Sequence, residues 1–294
     1  MLRSGWRSRF VAAVVLAAAV GGCGEPGTTP SGTPPPAGFL LRASLTQALA
    51  PENVFAWTPP VTITGDRILV TTGPVPAILP GPLLPNLRGR EISQAGYDRI
   101  VGEARSLGLL DGNGDFSPPD VAPGSQLGRI ELLVDGEPRV LTGDPNRVIQ
   151  CIRAPCVPPP ATPEAFAALW QALSDLPGLL PDELGPEFGY RPDGYALLIG
   201  IQPPDDAGIA PQLREWPLDT PLADLGRPIG DAAGPRCGTV EGDDAATLST
   251  AFEGANQLTR WFDQGAEGAG GVAIAVRALL PGEDVCLELF GIGE

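Results

Sequence analysis

From about residue 53 the apolar positions of this chain alternate over short stretches, and only a few segments switch to helical spacing. Val54 to Trp57 reads as an opening strand. Val61 to Thr64 and Arg67 to Thr71 read as a hairpin joined at Gly65-Asp66, with Val61 and Ile63 alternating with threonines on a half-buried surface. Pro74 to Pro85 holds five prolines and is predicted to be irregular, packing Ile78, Leu79, Leu83 and Leu84 as a loop over the sheet. Ser93 is placed to cap a helix running to about Leu107, with Tyr97, Ile100, Val101, Ala104 and Leu107 on one face. Ile92 would staple onto Tyr97, and Gly108 would end the helix.

A second hairpin, Arg129 to Val134 and Arg139 to Leu141, turns at Asp135-Gly136. Thr162-Pro163 then starts a helix with Phe166, Leu169, Trp170 and Leu173 inward, closed by Pro177-Gly178. Residues 178–194, rich in Pro, Gly and acids, mark a candidate boundary between an N-terminal part (38–185) and a C-terminal part (186–294). The second part opens with a strand, Tyr195 to Ile201, and continues through a loop carrying Trp216 and a single turn at Thr220 to Gly226. Cys237 to Val240 is a short strand. A helix capped by Asp243 or Asp244 follows, with Leu248, Ala251, Phe252 and Ala255 inward, and strands close the pattern at Leu258 to Phe262 and Val272 to Leu279. Helices interspersed among antiparallel hairpins predict a loop-rich α+β fold in two halves of similar size.

Residues 1–37 follow a different pattern. Arg3, Arg7 and Arg9 precede an apolar run over residues 10–20, and Val20-Gly21-Gly22-Cys23 follows. This is the layout of a signal peptide (1–22) ending in a lipobox, with Cys23 as the lipidated residue. A transmembrane anchor needs about 20 apolar residues, more than this run supplies. Two or three acyl chains on Cys23 would hold the protein to a membrane durably, at about 0.8 kcal/mol per buried methylene. Residues 24–37, GEPGTTPSGTPPPA, have no side chain large enough to pack, so residues 23–37 read as an anchor and tether reaching about 40 Å when extended at about 3.1 Å per residue.

Composition narrows the chemistry. The chain has 294 residues with 39 Gly, 35 Pro and 43% hydrophobic content, which suits a packed, loop-rich domain better than disorder. All 19 basic residues are Arg. Without the three leader arginines, 16 bases face 35 acids, a net charge of −19 that repels nucleic acid and anionic headgroups. There is no His and no Lys, which excludes His-based zinc sites, Ser-His, Cys-His and Ser-Lys dyads, and Schiff-base chemistry. With Cys23 committed to lipid, four cysteines remain and allow three pairings in an exported protein. Proximity favours Cys151–Cys156, which leaves Cys237–Cys286 as the longer bridge. A four-cysteine metal site lacks the C-x2-C spacing it needs.

The segments LPGPLLPNLRGREIS (79–93), PLADLG (221–226), CGTVEGDDAATLSTAFEGANQLTRW (237–261) and RALLPGEDVC (277–286) resemble a group of uncharacterised, mostly actinobacterial, exported lipoproteins. The likeness spans most of residues 55–286. It implies export and an intact Cys237–Cys286 pair, and it carries over no activity and no functional residues.

Candidate chemistry is sparse. Asp111-Gly-Asn113-Gly-Asp115 sets oxygen ligands at alternate positions, as a calcium loop does, with Asp120 as a further ligand. Phe116 and Ala122, however, stand where an EF-hand would have Gly and Glu, and a solvated turn uses the same residues. Arg153 between Cys151 and Cys156 would sit on a rigid arc of the kind inhibitors display, or on a plain clamp. The carboxylate pairs Asp182-Glu183, Asp205-Asp206, Asp243-Asp244 and Glu283-Asp284 raise a carboxylate hydrolase as an alternative, although catalytic carboxylates stand about 5–9 Å apart on separate elements. Trp57, Trp170, Trp216 and Trp261 would line a groove or fill the core. The expectation is a membrane-anchored, extracytoplasmic, non-catalytic binding or envelope-associated module that uses no cofactor. Its protein or small-molecule partner is not legible, and calcium binding is its first alternative.

Overall fold

Phe39–Thr46 (β1), a stretch the hydrophobic pattern does not mark, is an inner strand of the larger of two sheets. The computed structural model describes residues 38–46, 50–118, 125–148, 158–202, 208–231, 234–266 and 270–292. Residues 1–37, with the expected signal peptide, Cys23 and tether, together with Asp120, the Cys151–Cys156 loop with Arg153, and Asp205-Asp206, lie outside the described residues. In β1 Leu41 and Ala43 face a helical layer while Arg42 and Ser44 alternate with them, a period of two with a charge in it, and Leu40 packs against the same core as Leu41.

The opening segment is not a strand. Pro51–Val54 forms a short helix (α1), because Pro51 at its first turn fixes φ where no N–H is needed. Val61–Thr64 (β2) and Ile68–Thr72 (β3) form the expected hairpin, and Leu87–Glu91 (β4) adds to it. β2 is buried on both faces rather than half-buried: Val61 and Ile63 meet the helices, while Thr62 and Thr64 are also enclosed. The loop between β3 and β4 is irregular and buries Leu83, but Ile78 and Leu79 are 63% exposed and do not pack over the sheet.

Gln94–Ser106 (α2) starts where Ser93 accepts the Gly96 N–H, and it buries Tyr97, Ile100, Val101 and Ala104. Asp115–Phe116 (β5), Leu127–Val134 (β6) and Glu137–Gly143 (β7) extend the sheet. Asp135 and Gly136 both take positive φ in the β6–β7 turn, the conformation this dipeptide adopts readily. Pro163–Ser174 (α3) is capped by Thr162. It does not stop at Pro177-Gly178: Leu176–Leu179 (α4) holds that pair, because Asp175 caps a new turn and Pro177 sits early in it. With Phe188–Gly189 (β8), the order of the eight strands is β5-β7-β6-β1-β2-β3-β4-β8.

Tyr97 locks the middle of this sheet. β1 carries a bulge between Phe39 and Leu41, and the Tyr97 hydroxyl lies 2.6 Å from Leu133 O and 2.8 Å from Leu40 O while accepting the Leu133 N–H at 3.2 Å. One side chain thus serves the backbone groups that the bulge frees. Burial pushes its phenol up to about 12.

The second sheet has the order β10-β13-β14-β9-β12-β11, built from Gly194–Ile199 (β9), Leu213–Glu215 (β10), Arg227–Pro228 (β11), Arg236–Glu241 (β12), Arg260–Phe262 (β13) and Val272–Ala278 (β14). Leu222–Asp224 is a single 3-10 turn. Gly242–Phe252 (α5) follows β12 directly. Its cap position is Glu241 rather than Asp243 or Asp244, which lie in the first turn where acids favour the helix dipole. Val285–Phe290 (α6), unmarked in the sequence, is capped by Asp284.

Every residue of β9 is buried because it is covered on both faces. Tyr195, Leu197 and Ile199 join Trp216, Phe252 and Trp261 on one face. Ala196 and Leu198 meet Phe55, Val285, Cys237 and Cys286 on the other. The aromatic rings contact edge to face, with Trp216 and Trp261 centroids 5.8 Å apart and Phe252 and Trp261 5.5 Å apart, each pair adding about 0.5–1.5 kcal/mol beyond its buried area. Val70 and Leu87 of the first sheet, and Leu83 of the loop between β3 and β4, belong to this same cluster. Cys237 and Cys286 are bonded, tying β12 to α6. The fold is α+β, with mixed sheets: β5–β7 and β10–β13 are parallel pairs and the other ladders antiparallel.

Candidate functional site

The face of β1 and β6 that turns away from α2 and α3 carries charge where apolar side chains would be expected. Arg42 stands directly opposite Glu131 in the ladder. Its Nε donates to Glu131 Oε2 at 2.8 Å, and its Nη1 lies 3.3 Å from Glu288 Oε1 on α6. Arg129 Nη2 reaches the other Glu131 oxygen at 2.9 Å. The bulge at Leu40 turns Phe39 to this same face, with the Arg42 guanidinium 4.8 Å over its ring. Beside them, Arg277 Nη2 on β14 donates to Glu283 Oε1 at 2.5 Å, and the Leu280 N–H donates to Glu283 Oε2 at 3.0 Å. These six charged side chains, with Ser44 and Pro59, surround a cleft of about 390 Å³.

Its electrostatics are balanced, three guanidiniums against three carboxylates. Burial pushes the Glu131 carboxyl up, but its hydrogen bond from Arg129 and the charge of Arg42 outweigh this and hold it below the usual carboxylate range. Burial likewise works against the Arg42 charge, and Glu288 and Glu131 overcome it and leave the guanidinium raised. Glu131 is therefore held in the state opposite to that of a general acid. Each carboxylate here has an arginine partner, and the arrangement joins the first strand of the described fold to its last helix.

A second cleft, of about 650 Å³, adjoins this one through Glu283. Tyr190 to Gly194, the start of α5 and the Leu279–Glu283 turn form its walls. Asp193 and Glu241 line it and are exposed. Burial and the nearby Asp193 and Asp66 push the Tyr190 phenol up to about 12.

Of the residues singled out from the sequence, Glu283 lines the charged cleft, and the other described ones fall elsewhere. Asn113 Oδ1 accepts the Asp115 N–H at 3.1 Å, and Asp115 Oδ1 accepts the Ser117 N–H at 3.0 Å and the Thr142 hydroxyl at 3.4 Å. The hydrogen bonds from Ser117 hold the Asp115 carboxyl below its usual value. Asp111 is exposed beside them, and among the described residues no group of three or more His, Cys, Asp or Glu is placed to share a metal ion. The carboxylate pairs separate by role: Glu183 bonds the Ser93 hydroxyl, Glu283 meets Arg277, and Asp284 caps α6. Trp216 and Trp261 are core, Trp57 is 47% exposed, and Trp170 lines a groove of about 330 Å³ with Leu69, Leu173, Arg90 and Glu187.

Apart from Glu283, the charged cleft has no signal in the linear pattern, because two of its elements, β1 and α6, carry no clear periodicity there. Had β1 been recognised, Arg42 between Leu41 and Ala43, and Arg129 and Glu131 around Ile130, would have shown charges at period two on one face. No protein-family model, curated protein or solved structure matches the chain.

Proposed function

We propose that this chain is an exported lipoprotein, acylated on Cys23 and held on the extracytoplasmic face of a bacterial membrane, whose folded part acts as a non-catalytic binding or envelope-associated module. The observation that carries the reading is the Cys237–Cys286 bond, since buried structural disulfides belong to oxidising compartments outside the cytoplasm. The lipobox ahead of Cys23 supports the anchor. Among the described residues no helix is long and apolar enough to cross a membrane.

Absence of His and Lys removes the commonest nucleophile and general-base pairs, and the cleft carboxylates are neutralised by arginine. Calcium binding at the Asp111 loop and carboxylate-based hydrolysis draw no comparable support. Metabolic labelling with palmitate, with Cys23→Ala as the control, tests the anchor: label lost in the variant supports it, and label retained contradicts it.

A further inference from the structure

Pro74 to Leu79, the sequence PVPAIL, is exposed throughout, and Val75, Ile78 and Leu79 are 62%, 63% and 63% exposed. Single exposed aliphatic residues are ordinary, but three within five positions on one projecting loop form a contiguous apolar surface of the kind that marks a contact site. From Ile68 to Leu87 no side chain is charged, in a chain that carries 35 acids and 19 arginines.

The loop is held rigidly at both feet. The Gly73 N–H donates to Asn86 O at 2.6 Å, and Asn86 Nδ2 donates to Pro74 O at 2.8 Å. On the other side Leu83 N–H donates to Ala255 O and Gln257 N–H to Gly81 O, at 3.1 and 3.0 Å, with Leu83 buried beneath. Pro74, Pro76 and Pro80 fix φ and remove three N–H donors from the arm between. The loop is thus ordered before it meets anything, and it presents few backbone donors that would have to lose water.

We infer that this arm is a membrane-contact loop, with Val75, Ile78 and Leu79 seated at the headgroup–acyl boundary of a lipid surface. This rests on the proposed anchor, which keeps a bilayer within reach. A protein partner fits less well, because the arm offers no aromatic residue, no arginine and no hydrogen-bonding side chain, the groups that dominate protein interfaces. Reach is sufficient. The Gly65 N–H bonds Gly38 O at one end of β3, and the arm leaves its other end, so about 20 Å separates them, against the about 40 Å that residues 23–37 would reach when extended. With a net charge of −19 on the mature chain, neutral lipid is the favoured surface.

The test is co-sedimentation of residues 24–294, which retain every described element, with vesicles of phosphatidylcholine and of phosphatidylcholine containing phosphatidylglycerol. The unacylated polypeptide is used so that the outcome is independent of whether Cys23 is lipidated in cells, which palmitate labelling decides. Binding to neutral vesicles is expected, weaker on the anionic ones, and reduced about tenfold or more by the Ile78→Asp/Leu79→Asp pair. Leu213→Asp, an exposed aliphatic elsewhere, is expected to leave it unchanged. Equal binding by the double variant, no binding by the parent, or a concentration-dependent dimer abolished by the double variant would each overturn the assignment.

Discussion

Arg42 and Glu288 lie 246 positions apart in the chain and 3.3 Å apart in space. Arg42 is 12% exposed and Glu288 41% exposed, so the two ends of this contact differ in what their loss costs. Arg42→Ala strands Glu131 with only Arg129 and leaves a partly buried carboxylate short of one partner, at about 1–3 kcal/mol. Glu288→Ala removes a solvated partner and costs less than about 1 kcal/mol. Urea denaturation of the two variants checks the order; a larger loss for Glu288→Ala would contradict it.

Glu131 gives the fold an acid-sensitive contact. Its carboxyl is held below the ordinary range in the folded protein, despite the opposing effect of burial, by Arg129 and Arg42. In the unfolded chain it titrates near 4.3. Its stabilisation is therefore complete above that value and is lost as pH falls toward the folded value, where the folded carboxylate too takes up its proton. In Glu131→Gln the fall of stability with acid below about pH 4.3 is expected to be shallower than in the parent. Denaturation midpoints measured between pH 6 and pH 3 test this, and parallel curves would contradict it.

Cys237 and Cys286 close a separation of 49 residues, and in the loop-entropy model a bridge of that span stabilises by about 4 kcal/mol. The bridge also fixes α6, and with it Glu288. Replacing both cysteines by serine is expected to lower the melting midpoint by many degrees. Glu288→Ala should add less in that background than in the bridged protein, because a loosened α6 no longer presents its carboxylate. Strict additivity would show that the helix is held without the bridge.

Much of the fold was legible because its signals are local. Ser93 ahead of Tyr97, Ile100 and Val101, Asp135-Gly136 between two alternating runs, and Thr162-Pro163 each specify an element from within a few residues. The remainder depends on tertiary partners. β1 shows an interrupted apolar pattern because Arg42 faces the charged cleft. α1 is set by Pro51 against a stretch that otherwise resembles a strand, and β2 buries Thr62 because its second face is also covered. Ile78 and Leu79 are apolar without being core, which periodicity does not distinguish. The cleft pairs residues 89 and 246 positions apart, beyond any local signal.

Asn113 and Asp115 direct carboxylate and amide oxygens at the backbone of their own turn and at Thr142. Millimolar calcium is accordingly expected to leave the melting midpoint of residues 24–294 where it stands in chelator. A ligand that binds only the folded state at a hundred times its dissociation constant would add about 2.7 kcal/mol, a shift of several degrees. A rise abolished by Asp111→Ala would instead establish the loop as a metal site.

The proposed lipid anchor on Cys23 is tested by the mass of the amino-terminal peptide of the mature protein, recovered from the membrane fraction of the cells that make it. A peptide beginning at Cys23 and carrying a diacylglyceryl group is expected. An unmodified peptide beginning elsewhere, or an intact leader with Cys23 unacylated, would contradict it.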